Sequence, residues 1–394
     1  MIDMKKFLAL LLTLALCLGC VSLAAAEEKA VKVGFIFLHD ENSTYDRNFI
    51  EAAKEACANL GVDYLMKTGI DEGEACYEAA ADFADKGCDI VFADSFGHEP
   101  YMIKAAQEFP EVQFCHATGT QAHTVNLANY HNAFATIFEG RYLAGVAAGL
   151  KLQEMIADGK ATEDALKIGY IGAYPYAEVK SGYTSFFLGV RSVCPTVTME
   201  VTFTNSWYDE TLEKEGAVQL INNGCVLISQ HADSMGAPTA CETAGVPNIS
   251  YNGSTVASCP NTFIVSSRIN WVPYMEYIIT CVKEGKEIDT DWTGNIETGS
   301  VQLSEINENA AAAGTAEKLE EVKAGLVDGS IKVFDTACFT KDGAKLDSYL
   351  ADVDDMGDFV PETEVIGDGY FHESEYRSAP YFDIDIDGIT ILGS

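Results

Sequence analysis

The sequence predicts an α/β protein of two doubly wound lobes facing each other across a cleft. Three observations carry that prediction. From Val31 to about Asn132, short apolar runs alternate strictly with amphipathic helical patterns, the mark of a largely parallel sheet with helices on its faces. The alternation starts afresh at LKIGYIGAYP (166–175). A length of 394 residues exceeds what one hydrophobic core usually organises, so two domains are the natural division. No repeat of solenoid period competes with this reading.

In the first half, VKVGFIFL is a strand ending at His39-Asp40-Glu41-Asn42-Ser43. A helix starts near Tyr45 or Asp46, with Phe49, Ala52, Ala53, Ala56 and Leu60 on one stripe. Gly61 closes it, VDYLMK is the next strand and Glu74 to Lys86 the next helix. IVFADSFG stops at Asp94-Ser95-Phe96-Gly97, and a helix follows around Glu99 to Glu108. VQFCHATG and VNLANYHN are two further strand-like runs. Ala133 to Lys151, rich in small residues suited to close packing, predicts a long helix, and Gln153 to Asp164 an exposed connection.

The second half runs from LKIGYIGAYP through a helix over Ser181 to Val193 into a β-α-β unit, Val201 to Ser234. Its first strand ends in a polar turn holding Trp207. Its helix has Leu212, Ala217, Leu220 and Ile221 on one face and stops at Asn223-Gly224. Its second strand, CVLIS, ends at Gln230-His231-Ala232-Asp233. A helix over 235–244, strands PNISYN and TFIVSSRINW, and a helix from Pro273 to Glu284 complete the series. Beyond Gly285 the regularity weakens: DWTGNIETGSVQLSEI is strand- or turn-like, Thr315 to Leu326 a helix, and IKVFDTACF a strand. The tail from Met356, with Tyr370, Phe371, Tyr381 and Phe382, is expected to wrap around the fold as an ordered segment.

Composition bounds the function. Hydrophobic content of 48% is ample for packed cores and excludes wholesale disorder. Sixty acidic residues against 25 basic ones give a formal charge of −35, which repels phosphate backbones and excludes a nucleic-acid partner. Lys5-Lys6 and the apolar Phe7 to Leu18 read as an export leader, residues 1–26, too short to span a bilayer. Leu18-Gly19-Cys20 resembles a bacterial lipoprotein box, in which Cys20 is lipidated and anchors the chain to the outer face of the cytoplasmic membrane. Cys17 stands there where leucine is usual. Ala24-Ala25-Ala26 offers ordinary signal-peptidase cleavage instead. Of 12 cysteines, the ten beyond the leader form no C-x-x-C pair, which argues against zinc or redox motifs. Several sit in apolar runs as small buried hydrophobes, and so many thiols in an exported chain point to an anaerobic source.

Motifs for catalysis are missing: no G-x-S-x-G, H-E-x-x-H or P-loop occurs, and Gly34, Gly169 and Gly172 do not assemble a dinucleotide fingerprint. No cofactor is expected. His116 and His123 flank a Thr/Gly-rich loop where a metal pair is conceivable, but no metal site is expected either. His231 with Asp233 is an acid–base pair on paper, and equally a pair of ligand-binding groups. The strand ends fit binding better. His39 to Asp46 (with Tyr45 and Asp46), Ser95-Phe96, Tyr174-Pro175-Tyr176, Trp207, His231/Asp233, Tyr251-Asn252 and Arg268-Asn270-Trp271 all follow strands. In open parallel sheets ligands sit at that end. Aromatic faces there stack on planar rings and carboxylates and amides read polar edges; a sugar would use the same residue types.

Six blocks in order and spacing carry a family resemblance: FPEVQFCHATG (109–119), EGRYLAGVAAG (139–149), KIGYIGAYP (167–175), NSWYDETLEKEGAVQLINNG (205–224), QHADS (230–234) and RINWVPY (268–274). They resemble the basic membrane protein family, substrate-binding lipoproteins of ABC importers related to purine nucleoside receptors. The resemblance covers about Val31 to Leu303, with a similar short motif around Asp383 to Gly393. It implies a class I periplasmic-binding-protein fold: two Rossmann-like lobes, crossed three times by the chain, closing on a purine nucleoside or base. The expected division is 29–130 with 264–300 in the N-terminal lobe and 131–263 with 301–394 in the C-terminal lobe. By position, Phe96 and Trp207 are the implied stacking partners, Asp46, His231, Asp233 and Asn252 the polar readers, and Trp271 borders the cleft. The family's usual Asp-Gly-Trp or Asp-Lys-Ser-Phe opening after the first strand is replaced here by the run His39 to Asp46. The implied partners are a permease with its ATPase; the alternatives are a sugar receptor on the same fold and an exported nucleoside hydrolase.

Overall fold

A computed structural model describes residues 30–353 and 360–393; the leader and Cys20 lie outside the described residues. The chain runs β1 (Lys32–Ile36), α1 (Thr44–Leu60), β2 (Asp63–Lys67), α2 (Glu74–Asp85), β3 (Ile90–Ala93), α3 (Glu99–Glu108), β4 (Gln113–Ala117), the single turn α4 (Ala122–Val125) and β5 (Tyr130–Ala135). It then crosses to a second lobe: α5 (Ile137–Ala157), β6 (Lys167–Gly172), α6 (Ala177–Val193), β7 (Thr198–Phe203), α7 (Glu210–Asn222), β8 (Ile228–Gln230), α8 (Gly236–Ala244), β9 (Asn248–Tyr251) and β10 (Phe263–Ile269). It returns for α9 (Val272–Glu284), which packs on α1, and for β11 (Asp291–Gly294). A third crossing leads to β12 (Val301–Leu303), α10 (Thr315–Val327) and the tail.

The first sheet has the order β2-β1-β3-β4-β5-β11, all parallel. The second repeats it as β7-β6-β8-β9-β10, with β12 antiparallel along one edge. Strand order reverses between β1 and β3 and again between β6 and β8, where doubly wound sheets leave a crevice. Two Rossmann-like lobes joined by three crossovers are therefore present, as expected.

Local chemistry explains the elements. Ser43 caps α1, its side chain accepting from the Asp46 amide, and Gly61 ends it at φ 62°, where a side chain would be strained. β3 and β5 are buried along their whole length, as strands covered on both faces must be. Helices α5 and α6 touch backbone to backbone: a Cβ on Gly145 would lie 2.1 Å from the Phe186 carbonyl oxygen, and one on Gly189 2.2 Å from that of Tyr142. All ten cysteines of the described residues are free, nine of them buried. Among the described residues no helix is long and apolar enough to cross a membrane.

Four expectations are corrected. The long helix starts at Ile137, because Ala133 to Ala135 belong to β5, which pairs through Ala117 with β4 and through Trp292 to Gly294 with β11. It runs on to Ala157, through helix-forming residues expected to lie in a connection. IKVFDTACF is turns, with an isolated bridge from Asp335 to Tyr370, not a strand. The lobe boundaries also move: β5, through Ala135, stays in the first sheet, and β10 pairs with β9 in the second. The tail does wrap. It forms short hairpins β13 (Leu350–Ala351) with β14 (Thr363–Glu364) and β15 (Ile366–Gly367) with β16 (Tyr370–Phe371). It buries Phe371, Tyr381 and Phe382 in the second core and ends as β17 (Ile389–Ile391) beside β7.

Candidate functional site

The carboxyl ends of both sheets face one another, and the loops leaving them enclose a narrow cavity. The first lobe supplies Leu38, His39, Tyr45, Asp46, Ser95, Phe96 and Thr118 to its wall, and the second supplies Glu178, Trp207, His231, Asp233 and Tyr251. Its mixed polar and aromatic lining suits a small molecule. The lobes touch around it. Thr44 N–H and Oγ1–H both donate to the Asp233 carbonyl, at 3.1 and 3.3 Å. The rings of His39 and Tyr208 lie 5.6 Å apart and those of Phe96 and Tyr176 5.3 Å apart, each pair bridging the lobes. This is a closed form.

On the first lobe, Asp46 is the anchor. It accepts from the His39 amide at 2.7 Å and from Ser43 Oγ at 2.6 Å, with His39 Nδ1 at 3.3 Å. Burial works to raise its carboxyl, but these bonds prevail and hold it below the ordinary range. Asp94, just beneath, goes the other way: burial, the Asp46 charge and a hydrogen bond to Asp46 push it well above the ordinary range. Its Oδ1 accepts from the Leu38 amide at 3.2 Å, and its backbone carbonyl accepts from Tyr45 at 2.7 Å. The β3 loop is pinned by Glu72, which accepts from Ser95 Oγ and the Gly97 amide, and by His116, whose Nε2–H donates to the Ser95 carbonyl at 2.7 Å. Burial lowers His116 to about 4, so the ring is neutral in this role. Thr118 enters the wall with φ 66°, a strained setting for a β-branched residue.

On the second lobe, Trp207 is only partly buried and stands in the gap between lobes. Tyr174 meets it edge-on at 5.1 Å and is itself stacked on Tyr176 at 5.1 Å. The β8 loop carries His231 and Asp233. Glu213 accepts from the Ser234 amide at 3.1 Å and the Asp209 amide at 3.2 Å and so fixes that loop. Burial and the nearby Asp46, Glu213 and Glu178 carboxylates raise Asp233 well above the ordinary range. His231 is lowered, chiefly by burial. Among the described residues no lysine or arginine is in the cavity wall.

Seven of the ten expected ligand-binding residues therefore meet at one cavity: Tyr45, Asp46, Ser95, Phe96, Trp207, His231 and Asp233. Three do not. Trp271 is 1% exposed in the first lobe's core, stacked on Phe49 at 4.5 Å, because the chain crosses lobes just after β10 and carries the indole under the first sheet. Asn252 takes a left-handed turn (φ 63°) and is buried outside the wall, where Tyr251 stands instead. Tyr174 backs Trp207 rather than lining the wall. Leu38, Thr118 and Glu178 were not anticipated. Glu178 lies in the first turn of α6, where an acidic residue ordinarily answers the helix dipole and carries no signal of a site.

Comparison with known proteins agrees with this geometry. A family model described as ABC transporter substrate-binding protein, PnrA-like, matches residues 34–333. The chain is 31% identical over 351 residues to a purine-binding protein of Brucella abortus (strain 2308), covering 84% of this chain and 95% of that one. It is 30% identical over 280 residues to a Haloferax volcanii protein named as an ABC transporter glucose-binding protein, covering 71% of this chain and 65% of that one. A solute-binding protein of an ABC transporter system from Aeropyrum pernix K1 shares the fold, with a TM-score of 0.66 at 17% identity over 80% of this chain and 94% of that one.

Proposed function

The chain belongs to the PnrA-like family of ABC transporter substrate-binding proteins, and from that premise we propose that it captures a purine base or nucleoside between its lobes. Proteins of this kind work outside the cytoplasm and deliver a solute unchanged. The observation that carries the purine reading is Trp207, held edge-on by Tyr174 in a cavity whose other wall presents Phe96. An indole face suits a flat heterocycle, and Asp46 and Asp233 accept or donate at its polar edges. The purine-binding relative, alike along nearly its full length, supports the same ligand class. Ligand contacts from both lobes exist together only when the lobes are closed, so binding favours closure. The closed shape is what a permease with its separate ATPase would recognise. The leader and Cys20 support export with a lipid anchor in the membrane.

A second reading, a sugar receptor, draws on the glucose-binding name of the Haloferax relative and on three carboxyl groups in one cavity with an aromatic wall. A thermal-shift panel of purines, pyrimidines, ribose and glucose separates the two. A ligand at a hundredfold over its Kd stabilises by about 2.7 kcal/mol. A shift with glucose and none with any purine would transfer the assignment to sugar.

A further inference from the structure

We infer that Glu178 is a specificity-determining hydrogen-bond acceptor in the cavity, aimed there by a buried relay from Arg141 through Tyr170 and His231. The inference deepens the nucleoside reading and rests on it for the kind of ligand.

Arg141, on α5, is fully buried below the cavity. It is held by the Ser267 and Ser229 hydroxyls at 3.3 and 3.4 Å, by the Gln230 carbonyl at 3.1 Å, and by the face of Tyr251 at 4.8 Å. A guanidinium only donates. Its bond to Tyr170 therefore uses the phenol oxygen as acceptor and frees the phenol hydrogen. His231 Nδ1, 3.4 Å away, is within reach of that hydrogen. A neutral imidazole that accepts at Nδ1 carries its own hydrogen at Nε2, and Nε2 lies 3.4 Å from Glu178 Oε1. The relay is set from both ends: the guanidinium only donates, and the Glu178 carboxylate only accepts, which calls for the His231 hydrogen at Nε2. Gly182 makes room for the ring: a Cβ there would lie 2.7 Å from His231 Nδ1.

Glu178 thus has one oxygen turned to His231 while the residue lines both the cavity and an adjoining recess of about 250 Å3 that runs to Arg377 and Tyr381 in the tail. Among the described residues no lysine or arginine of the cavity wall meets it. Its one donor in the protein, His231 Nε2–H, lies at a long 3.4 Å, so Glu178 keeps acceptor capacity that a ligand N–H or O–H can fill, and an anionic group is repelled.

The relay and the acceptor are tested together. Histidine 15N spectra of the unliganded protein should report His231 as the Nε2–H tautomer, and Tyr170→Phe, which keeps the ring, should mix the tautomers. Calorimetry with adenosine, purine riboside, 2′-deoxyadenosine and 3′-deoxyadenosine then compares ligands differing by one donor. Wild type should lose at least tenfold for one of these deletions, and Glu178→Gln less than threefold for that same deletion. Equal discrimination in Glu178→Gln and wild type, or an Nδ1–H tautomer in wild type, overturns the inference. If wild type binds none of the four, the nucleoside reading fails, and the tautomer result alone decides the relay.

Discussion

The Thr44 amide of the first lobe donates to the Asp233 carbonyl of the second at 3.1 Å. Thr44 opens α1, directly after its cap Ser43, and Asp233 follows β8, so the bond joins the loop beside the β1/β3 reversal to the loop beside the β6/β8 reversal. It ties the two site-bearing loops together across the cleft and belongs to the closed form alone.

Gly253 packs at the same seam, and a Cβ added there would sit 3.4 Å from Thr44. Alanine should therefore be tolerated, while the longer Gly253→Leu should wedge the lobes apart. The expected outcome is at least tenfold weaker ligand binding, a larger radius of gyration in ligand-saturated solution scattering, and an unfolding midpoint close to wild type. Unchanged scattering with unchanged affinity would mean that the seam does not govern closure.

The two tryptophans near strand ends should behave in opposite ways. Trp207 is partly buried at the cavity, so Trp207→Ala is expected to weaken purine binding at least tenfold, a loss of about 1.4–3 kcal/mol for one stacking face, with folding retained. Trp271 packs against Phe49, Phe92, Phe134 and Tyr274. Trp271→Ala is expected to destabilise by about 3–5 kcal/mol. Calorimetric affinity and urea denaturation of both variants separate the roles; a Trp207→Ala protein with unchanged affinity would refute the stacking assignment.

That contrast also marks how far the sequence could be read. Trp207, His231 and Asp233 end strands that stay in their own lobe, so alternation alone brought them to the cleft. Trp271 also follows a strand, but hydropathy does not record which lobe the chain enters next. Asn252 ends a strand as expected but sits in a left-handed turn beyond the wall, a backbone setting that hydropathy does not record. Ala133 to Ala135 suit a helix or a buried strand equally, and pairing with β4 and β11 decided it. Glu178 and Arg141 escaped for a different reason. Each lies on a helix, with an ordinary local reading, and only the folded arrangement aligns them with His231.

The small residues of α5 were legible, and their purpose can be tested. Gly145 and Gly189 let α5 and α6 approach until a Cβ on either would overlap a carbonyl of the other helix. Neither backbone can yield without moving a whole helix. Gly145→Ala is expected to destabilise by about 1–3 kcal/mol or more, read as a lower urea midpoint. Alanine is otherwise the better helix former, so a stability equal to wild type would show that the helices can separate at little cost.

Asp94 gives a pH test with a definite sign. Its acid is held well above the usual carboxylate range in the folded protein by burial and by Asp46. The folded state therefore keeps a proton that the unfolded chain releases near pH 4. The stabilisation this gives is fully present below the unfolded value and is lost as pH rises through the folded one. Asp46 has the opposite sign: its lowered acid stabilises above the unfolded value and loses that effect as pH falls. Asp94→Asn imitates the protonated acid, since its amide oxygen can accept from Leu38 and its NH2 can donate to Asp46. The variant should match wild type near pH 4 and exceed it in melting temperature at pH 8. A wild-type advantage at pH 8 would mean that Asp94 is ionised there, and that the cleft holds two adjacent charges rather than one proton between two carboxyls.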